Sequence, residues 1–185
     1  MSKNVFLLAA AMCLASFVGL NAQTGKKVLV AYYSLYNGNT LVVAEQIRKN
    51  VGGDLVRIET VQSYPSEYRA VTDQAKRELE SGYRPKLKTT VADFDKYDIV
   101  YLGSPNWWGT IAPAVFTFLE SYNFEGKTII PFITHEGSRM GNSESDIKKL
   151  APKATILEGL PIRGRSVDKA EPDVKAWLKK LKQIK

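Results

Sequence analysis

Apolar runs of strand length alternate with stretches of helical period along this chain. From Val28 to Tyr33 the sequence is continuously apolar and rich in β-formers, the pattern of a strand covered on both faces. Residues 34–40 read as a turn, and beyond it Val43, Ala44, Ile47 and Val51 share one face of a helix that Gly52-Gly53 ends. A second strand is predicted over Leu55–Val61, followed after Tyr64-Pro65 by a helix with Tyr68, Val71, Ala75 and Leu79 on its buried stripe. Ile99–Gly103 is the third strand, and the helix after it buries Val115, Phe118, Leu119 and Tyr122. Thr128–Ile133 reads as the fourth strand, although Pro131 has no amide for a ladder and argues against a central place unless it sits at a bulge. Ser143 and Asp146 form an acidic capping pair ahead of Ile147 and Leu150, and Ala154–Leu157 is the fifth strand. Pro172 opens a last helix in which Val174, Trp177, Leu178 and Leu181 follow the i, i+3, i+4, i+7 spacing. Strand and helix alternating in this way predict an α/β fold: a three-layer αβα sandwich around a five-stranded parallel sheet. Five βα units occupy residues 23–185 as one domain, with no internal repeat.

The first 22 residues break the pattern. Lys3, the apolar stretch Val5–Leu20 and the small-residue point at Asn21-Ala22-Gln23 predict a secretory signal cut after Ala22, and with it export to the periplasm. An uncleaved anchor is the alternative, but the segment falls short of the ~20 residues of a spanning helix, and no later run approaches that length. Cleavage leaves 163 of 185 residues and removes Cys13, the only cysteine, so a thiol nucleophile and a disulfide are both excluded. With a single histidine, His135, the chain also lacks the soft ligands of a zinc site. Loss of Lys3 leaves 25 basic against 19 acidic residues, a net charge of +6. The lysines are scattered, and Lys175, Lys179, Lys180, Lys182 and Lys185 read as a solvated helix face, so nucleic acid is not an expected partner.

Ligands of an open parallel sheet sit beyond the carboxyl ends of its strands, where the winding direction changes. Three loops fall there. Ser34, Tyr36, Asn37, Gly38, Asn39 and Thr40 form a hydroxyl- and amide-rich turn that leads straight into a helix, a place where backbone amides, Ser34 and Thr40 can hold a phosphate. No lysine follows the glycine and no three-glycine fingerprint is present, so a phosphomonoester fits better than a triphosphate or a dinucleotide. The second loop, Pro105, Asn106, Trp107, Trp108 and Gly109, holds adjacent indoles that cannot both enter one core, so at least one offers a flat face to ligand or solvent. In the third, Thr134, His135, Glu136, Gly137 and Ser138 supply donors and a glycine for close backbone approach. His135 has no paired nucleophile and reads as a hydrogen-bonded loop residue, so no catalytic residue is assigned. A phosphoacceptor domain would need acids where Tyr32-Tyr33-Ser34 stands, and an esterase would need a Gly-x-Ser-x-Gly elbow, which is absent.

A phosphate loop, an aromatic loop and a polar glycine loop together describe a site for flavin mononucleotide (FMN). Through Tyr33-Ser34 with Gly38-Asn39-Thr40, through Pro105-Asn106-Trp107-Trp108-Gly109-Thr110, and through Thr134-His135 with Gly137-Ser138, residues 26–164 resemble the flavodoxin-like family, in particular its bacterial short-chain branch. The resemblance implies strand order 2-1-3-4-5, with FMN held at its phosphate by the first loop, at its ring by Trp107 or Trp108, and at the ring's polar edge by the third loop. Two departures stand out: the segment from Ser34 to Thr40 is one residue longer than the family's phosphate loop, and Glu136 replaces the branch's usual glycine. An amide tilted away from the phosphate would cost about 1.5–3 kcal/mol. The implied activity is electron transfer or two-electron reduction of quinone or nitro compounds, with a redox partner protein or a small-molecule electron acceptor as partner and homodimer formation left open. The alternative is an exported binding or scaffold protein that keeps the fold without FMN. Flavodoxins proper carry an acidic surface. A positive charge about 10 Å from the ring, at an effective dielectric of about 40, favours the reduced anion by about 0.8 kcal/mol, roughly 35 mV, so this basic chain is expected to hold a flavin at higher potential.

Overall fold

A computed structural model of the chain describes residues 25–35 and 38–185. The predicted signal segment and Cys13 lie outside the described residues, as do Tyr36 and Asn37. Six strands form one parallel sheet: β1 Val28–Tyr32, β2 Asp54–Arg57, β3 Ile99–Pro105, β4 Thr128–His135, β5 Thr155–Ile156 and β6 Leu160–Arg163. The helices are α1 Asn39–Val51, α2 Tyr68–Ser81, α3 Pro113–Ser121, α4 Ser143–Leu150 and α5 Glu171–Lys180. Strand order is β2-β1-β3-β4-β5, with β6 also beside β4. That is the expected 2-1-3-4-5 sheet, its last position shared by two short strands.

Alternate residues of the strands face opposite layers. Leu29, Ala31, Val100, Leu102, Ile129 and Ile133 pack with Val71, Val115, Phe118 and Ile147 from α2, α3 and α4. Val28, Val30, Tyr101, Ile130 and Phe132 pack with Val43 and Ile47 from α1 and with Val174, Trp177 and Leu178 from α5. Two cores on two faces make the three-layer sandwich.

Pro131 is central after all, opposite Leu102 of β3. The Ile129 carbonyl accepts from the Leu157 amide at 3.0 Å, so the odd residues of β4 direct their polar groups towards the β5–β6 side. Pro131 therefore aims its missing amide at the break between Ile156 and Leu160, where no ladder partner is required. The second strand is shorter than expected. Past the Ile58 amide, which donates to the Tyr32 carbonyl at 2.7 Å, the chain turns to residues 86–88, with the Val61 amide on the Lys86 carbonyl (2.9 Å) and the Lys88 amide on the Glu59 carbonyl (2.8 Å). Tyr68 leaves the buried stripe altogether and is 70% exposed at the start of α2. Nor does the Ser143–Asp146 pair cap α4. Asn142 is the N-cap and makes no side-chain cap bond, while Asp146 accepts from Thr110 Oγ1 at 2.6 Å and from Lys149 Nζ at 2.8 Å.

Candidate functional site

Between β1 and β3 the winding direction reverses, and there the carboxyl ends of β1, β3 and β4 border a cleft of about 770 Å3. Ser34, Asn39 and Thr40 line it from the first loop, Pro105, Asn106, Trp107, Trp108 and Gly109 from the second, and Thr134, His135, Glu136, Gly137 and Ser138 from the third. Gly38 does not reach the wall, and Tyr36 and Asn37 lie outside the described residues. Leu35, Tyr68 and Thr72 also line the cleft and were missed by the sequence. Tyr68 and Thr72 stand one helical turn apart on α2, so the signal was an i, i+4 pair on a face taken to be buried.

At the first loop Gly38 adopts φ 71° as the N-cap of α1; the cap has no side-chain hydrogen bond, and the first turn carries no acid. Such an end presents amides and the positive pole of the helix dipole to an anion. Ser34 beside it is 4% exposed, and its Oγ has no hydrogen-bond partner among the described residues. A buried hydroxyl of this kind is free to donate to a group that enters the cleft. Arg57 Nη2 donates to the Ser34 carbonyl at 3.1 Å, and the Thr40 and Thr134 hydroxyls share a bond of 2.8 Å across the cleft floor.

The second loop is a tight turn. Trp107 and Thr110 exchange backbone bonds of 2.8 and 3.1 Å around Trp108 (φ 52°) and Gly109 (φ 87°), left-handed at both central positions as a type I′ turn requires. The turn sends the two indoles in different directions. Trp107 meets Tyr33 (5.6 Å) and Tyr64 (5.3 Å) edge to face, whereas Trp108 is 57% exposed, its Nε1 donating to the Thr72 carbonyl at 2.8 Å and Lys76 Nζ lying 5.1 Å from its ring. Asn106 ties this loop to the third: its amide donates to the Thr134 carbonyl (2.7 Å), its Nδ2 to the Arg139 carbonyl (2.9 Å), and its Oδ1 accepts from the Gly109 amide (3.0 Å).

In the third loop His135 is 9% exposed and its Nδ1 has no partner among the described residues. Burial, reinforced by the charges of Arg139 and Arg163, lowers its pKa below the ordinary 6.5 against the opposing pull of Glu136. The imidazole is therefore neutral at pH 7. The Glu136 and Asn39 side chains both reach Gly164: a Cβ there would meet Glu136 Oε1 at 2.4 Å and Asn39 Nδ2 at 2.6 Å. Among the described residues no cluster of acidic, histidine or cysteine side chains could hold a metal ion. The uncapped helix end, the orphaned Ser34 hydroxyl and the aromatic wall fit a phosphate-bearing planar group, and the volume falls within the 300–1,000 Å3 of small-molecule sites.

This is a doubly wound α/β protein with its cleft at the β1/β3 switch point, the architecture of the flavodoxins. The family model described as Flavodoxin matches residues 27–181, and the chain belongs to that family. Among solved structures it is similar to a flavoprotein candidate from Bacteroides eggerthii DSM 20697 (34% identity, TM-score 0.73, covering 83% of this chain and 96% of that one). A second candidate from Bacteroides uniformis ATCC 8492 gives 31% identity and TM-score 0.73 over 84% of this chain and 99% of that one. The flavoprotein of Lactobacillus acidophilus NCFM, solved in complex with FMN, gives 25% identity and TM-score 0.64 over 78% and 97%. A search of curated proteins finds no match to this chain.

Proposed function

We propose that this chain binds FMN in the cleft and serves as a redox flavoprotein, either as an electron carrier or as a two-electron reductase of quinone or nitro compounds. The observation that carries this reading is the buried, unpartnered Ser34 hydroxyl beside the uncapped start of α1. An FMN complex in a family relative supports it. Ser34, Thr40 and the first amides of α1 would hold the phosphate; Trp107 and Trp108 would wall the ring; the third loop would face the ring's polar edge. Bound FMN supplies one- and two-electron transfer. The protein's part is to orient that group and keep water from it, and His135, neutral at pH 7, adds no proton of its own there. Export and the short-chain subgroup belong to the same proposal: no helix among the described residues is long and apolar enough to cross a membrane, and electrons would then come from a membrane donor or a partner protein.

Glu136 speaks for the cofactor-free binding protein, because its carboxylate lies against Gly164 beside Asn39, close to the helix end. Titration of FMN fluorescence decides between the two. Quenching with micromolar or tighter affinity supports the flavoprotein; unchanged fluorescence at high protein concentration overturns it. Potentiometry of the loaded protein then tests the charge argument, which a strongly negative two-electron couple would defeat.

A further inference from the structure

At the carboxyl ends of β4 and β6 a second cavity of about 380 Å3 opens on the far side of the third loop. His135 and Gly137 form the wall it shares with the main cleft. His135 of β4 is register-paired with Arg163 of β6, and Arg139 closes the rim from the loop, its backbone fixed at φ 54° with its carbonyl bonded to Asn106. Pro161 and Ile162 give an apolar flank, Ser166 a hydroxyl and Asp173 the one acid.

Some cations of the surface are paired and others are not, and the two guanidiniums here belong to the second group. Arg84 is paired with Glu120, and Lys49 and Lys175 with Glu171. Among the described residues, neither the Arg139 nor the Arg163 guanidinium has an ion pair or a hydrogen bond. Behind them stands the buried imidazole with its orphaned Nδ1. Unpaired guanidiniums match carboxylates in shape and charge, and the small volume with its apolar flank favours a compact organic acid over a nucleotide.

We propose that this cavity binds a small organic carboxylate, its charge on Arg139 and Arg163 and its body against Pro161 and Ile162. The site does not depend on flavin in the neighbouring cleft. Binding is coupled to protonation. Burial first, and then the charges of Arg139 and Arg163, favour the neutral imidazole, Glu136 pulls the other way, and Asp173 lines the cavity from α5. A bound carboxylate offsets the two guanidinium charges and favours the imidazolium, so it raises the pKa of His135, and by reciprocity its affinity rises as pH falls.

His135 is the only histidine, so its ring-proton NMR signals report on the cavity directly. Flavin-free protein is titrated from pH 4 to 8, roughly the range in which an imidazole responds, in sodium benzoate and in sodium chloride of equal ionic strength. Benzoate is expected to raise the His135 pKa above its value in chloride, and Arg163→Gln or Arg139→Gln to weaken benzoate binding by about tenfold or more. Equal titration curves in the two salts overturn the proposal, as does benzoate affinity unchanged in both variants. A repeat with added FMN separates the sites: both ligands binding together supports a distinct cavity, whereas displacement of benzoate by FMN overturns it. Protein that binds benzoate but never FMN leaves this inference standing and removes the flavin reading alone.

Discussion

Replacing Ser34 by alanine should act with opposite signs on free and FMN-loaded protein. In the free protein the Ser34 hydroxyl is buried and unpartnered, so folding strips it of water without replacement. A group of this kind costs about 1–3 kcal/mol, and Ser34→Ala removes the cost while losing no contact that the structure shows. Taking the lower end, about 1 kcal/mol, the melting temperature rises by about 2–4 °C for a protein of this size. With FMN bound, the same hydroxyl would donate to a phosphate oxygen, and losing a hydrogen bond to a charged group costs about 1.5–3 kcal/mol, or roughly a 10- to 150-fold weaker dissociation constant. Differential scanning fluorimetry of the free protein and a fluorescence titration with FMN measure the two halves. A lower melting temperature would mean that the hydroxyl is already satisfied. A higher one with unchanged FMN affinity would keep the structural argument and remove Ser34 from the phosphate site.

Glu136→Gln removes a carboxylate near the positive end of α1 and should tighten FMN binding about two- to fivefold, the worth of one charge at a helix terminus, as read by the same titration. Gly103→Ala drives a methyl to 2.2 Å from the Phe132 ring, which is fully buried, and should cost about 1–3 kcal/mol in urea unfolding, with partial recovery in the Phe132→Leu background. Trp107→Ala, which breaks contacts with Tyr33 and Tyr64, should cost about 3 kcal/mol; Trp108→Ala, which loses one hydrogen bond and the Lys76 contact, about 1 kcal/mol or less, and equal losses in urea unfolding would refute the opposed directions of the indoles. Between the lowered native pKa of His135 and the unfolded value near 6.5 the unfolded chain binds the extra proton, so stability falls as pH drops below about 6.5. That share of the loss should vanish in His135→Gln when denaturation midpoints are compared at several pH values.

The buried parallel strands were legible because β1 and β3 are covered on both faces and so read as unbroken apolar runs. α1 was legible because its buried residues share a helical face and Gly52 stops it. Edges were harder. Residues 58–61 stay strand-like in composition but exchange a parallel partner for an antiparallel one at 86–88, a choice that depends on a distant segment. β6 carries Pro161 and follows Gly159, so local signals hide a strand that exists because β4 offers it a partner. Of the cleft, the three loops were visible as compositions at strand ends, and the opposed indoles follow from Trp108-Gly109 at the turn. The wall contributed by α2 was not, since an exposed Tyr68 and a buried one have the same period. Arg139 and Arg163 lie on different elements, and nothing in either neighbourhood announces that one imidazole feels both.

Preorganisation is uneven around the rim, and that unevenness bears on how the cleft would take a ligand. Asn106 alone bonds to Thr134, Gly109 and Arg139, the Asn142 amide donates to the Gly109 carbonyl at 2.7 Å, and a Cβ on Gly141 would meet that carbonyl at 2.2 Å. The second and third loops are thus locked together before any ligand arrives, and a planar ring entering there finds its walls in place. The first loop is the reverse. Its helix has no side-chain cap and its buried hydroxyl has no partner, so its polar groups gain most when an anion completes them. For a phosphate-bearing ligand, binding energy would then concentrate at this end while the fixed end sets orientation, which is why Ser34, and not the indoles, should dominate affinity.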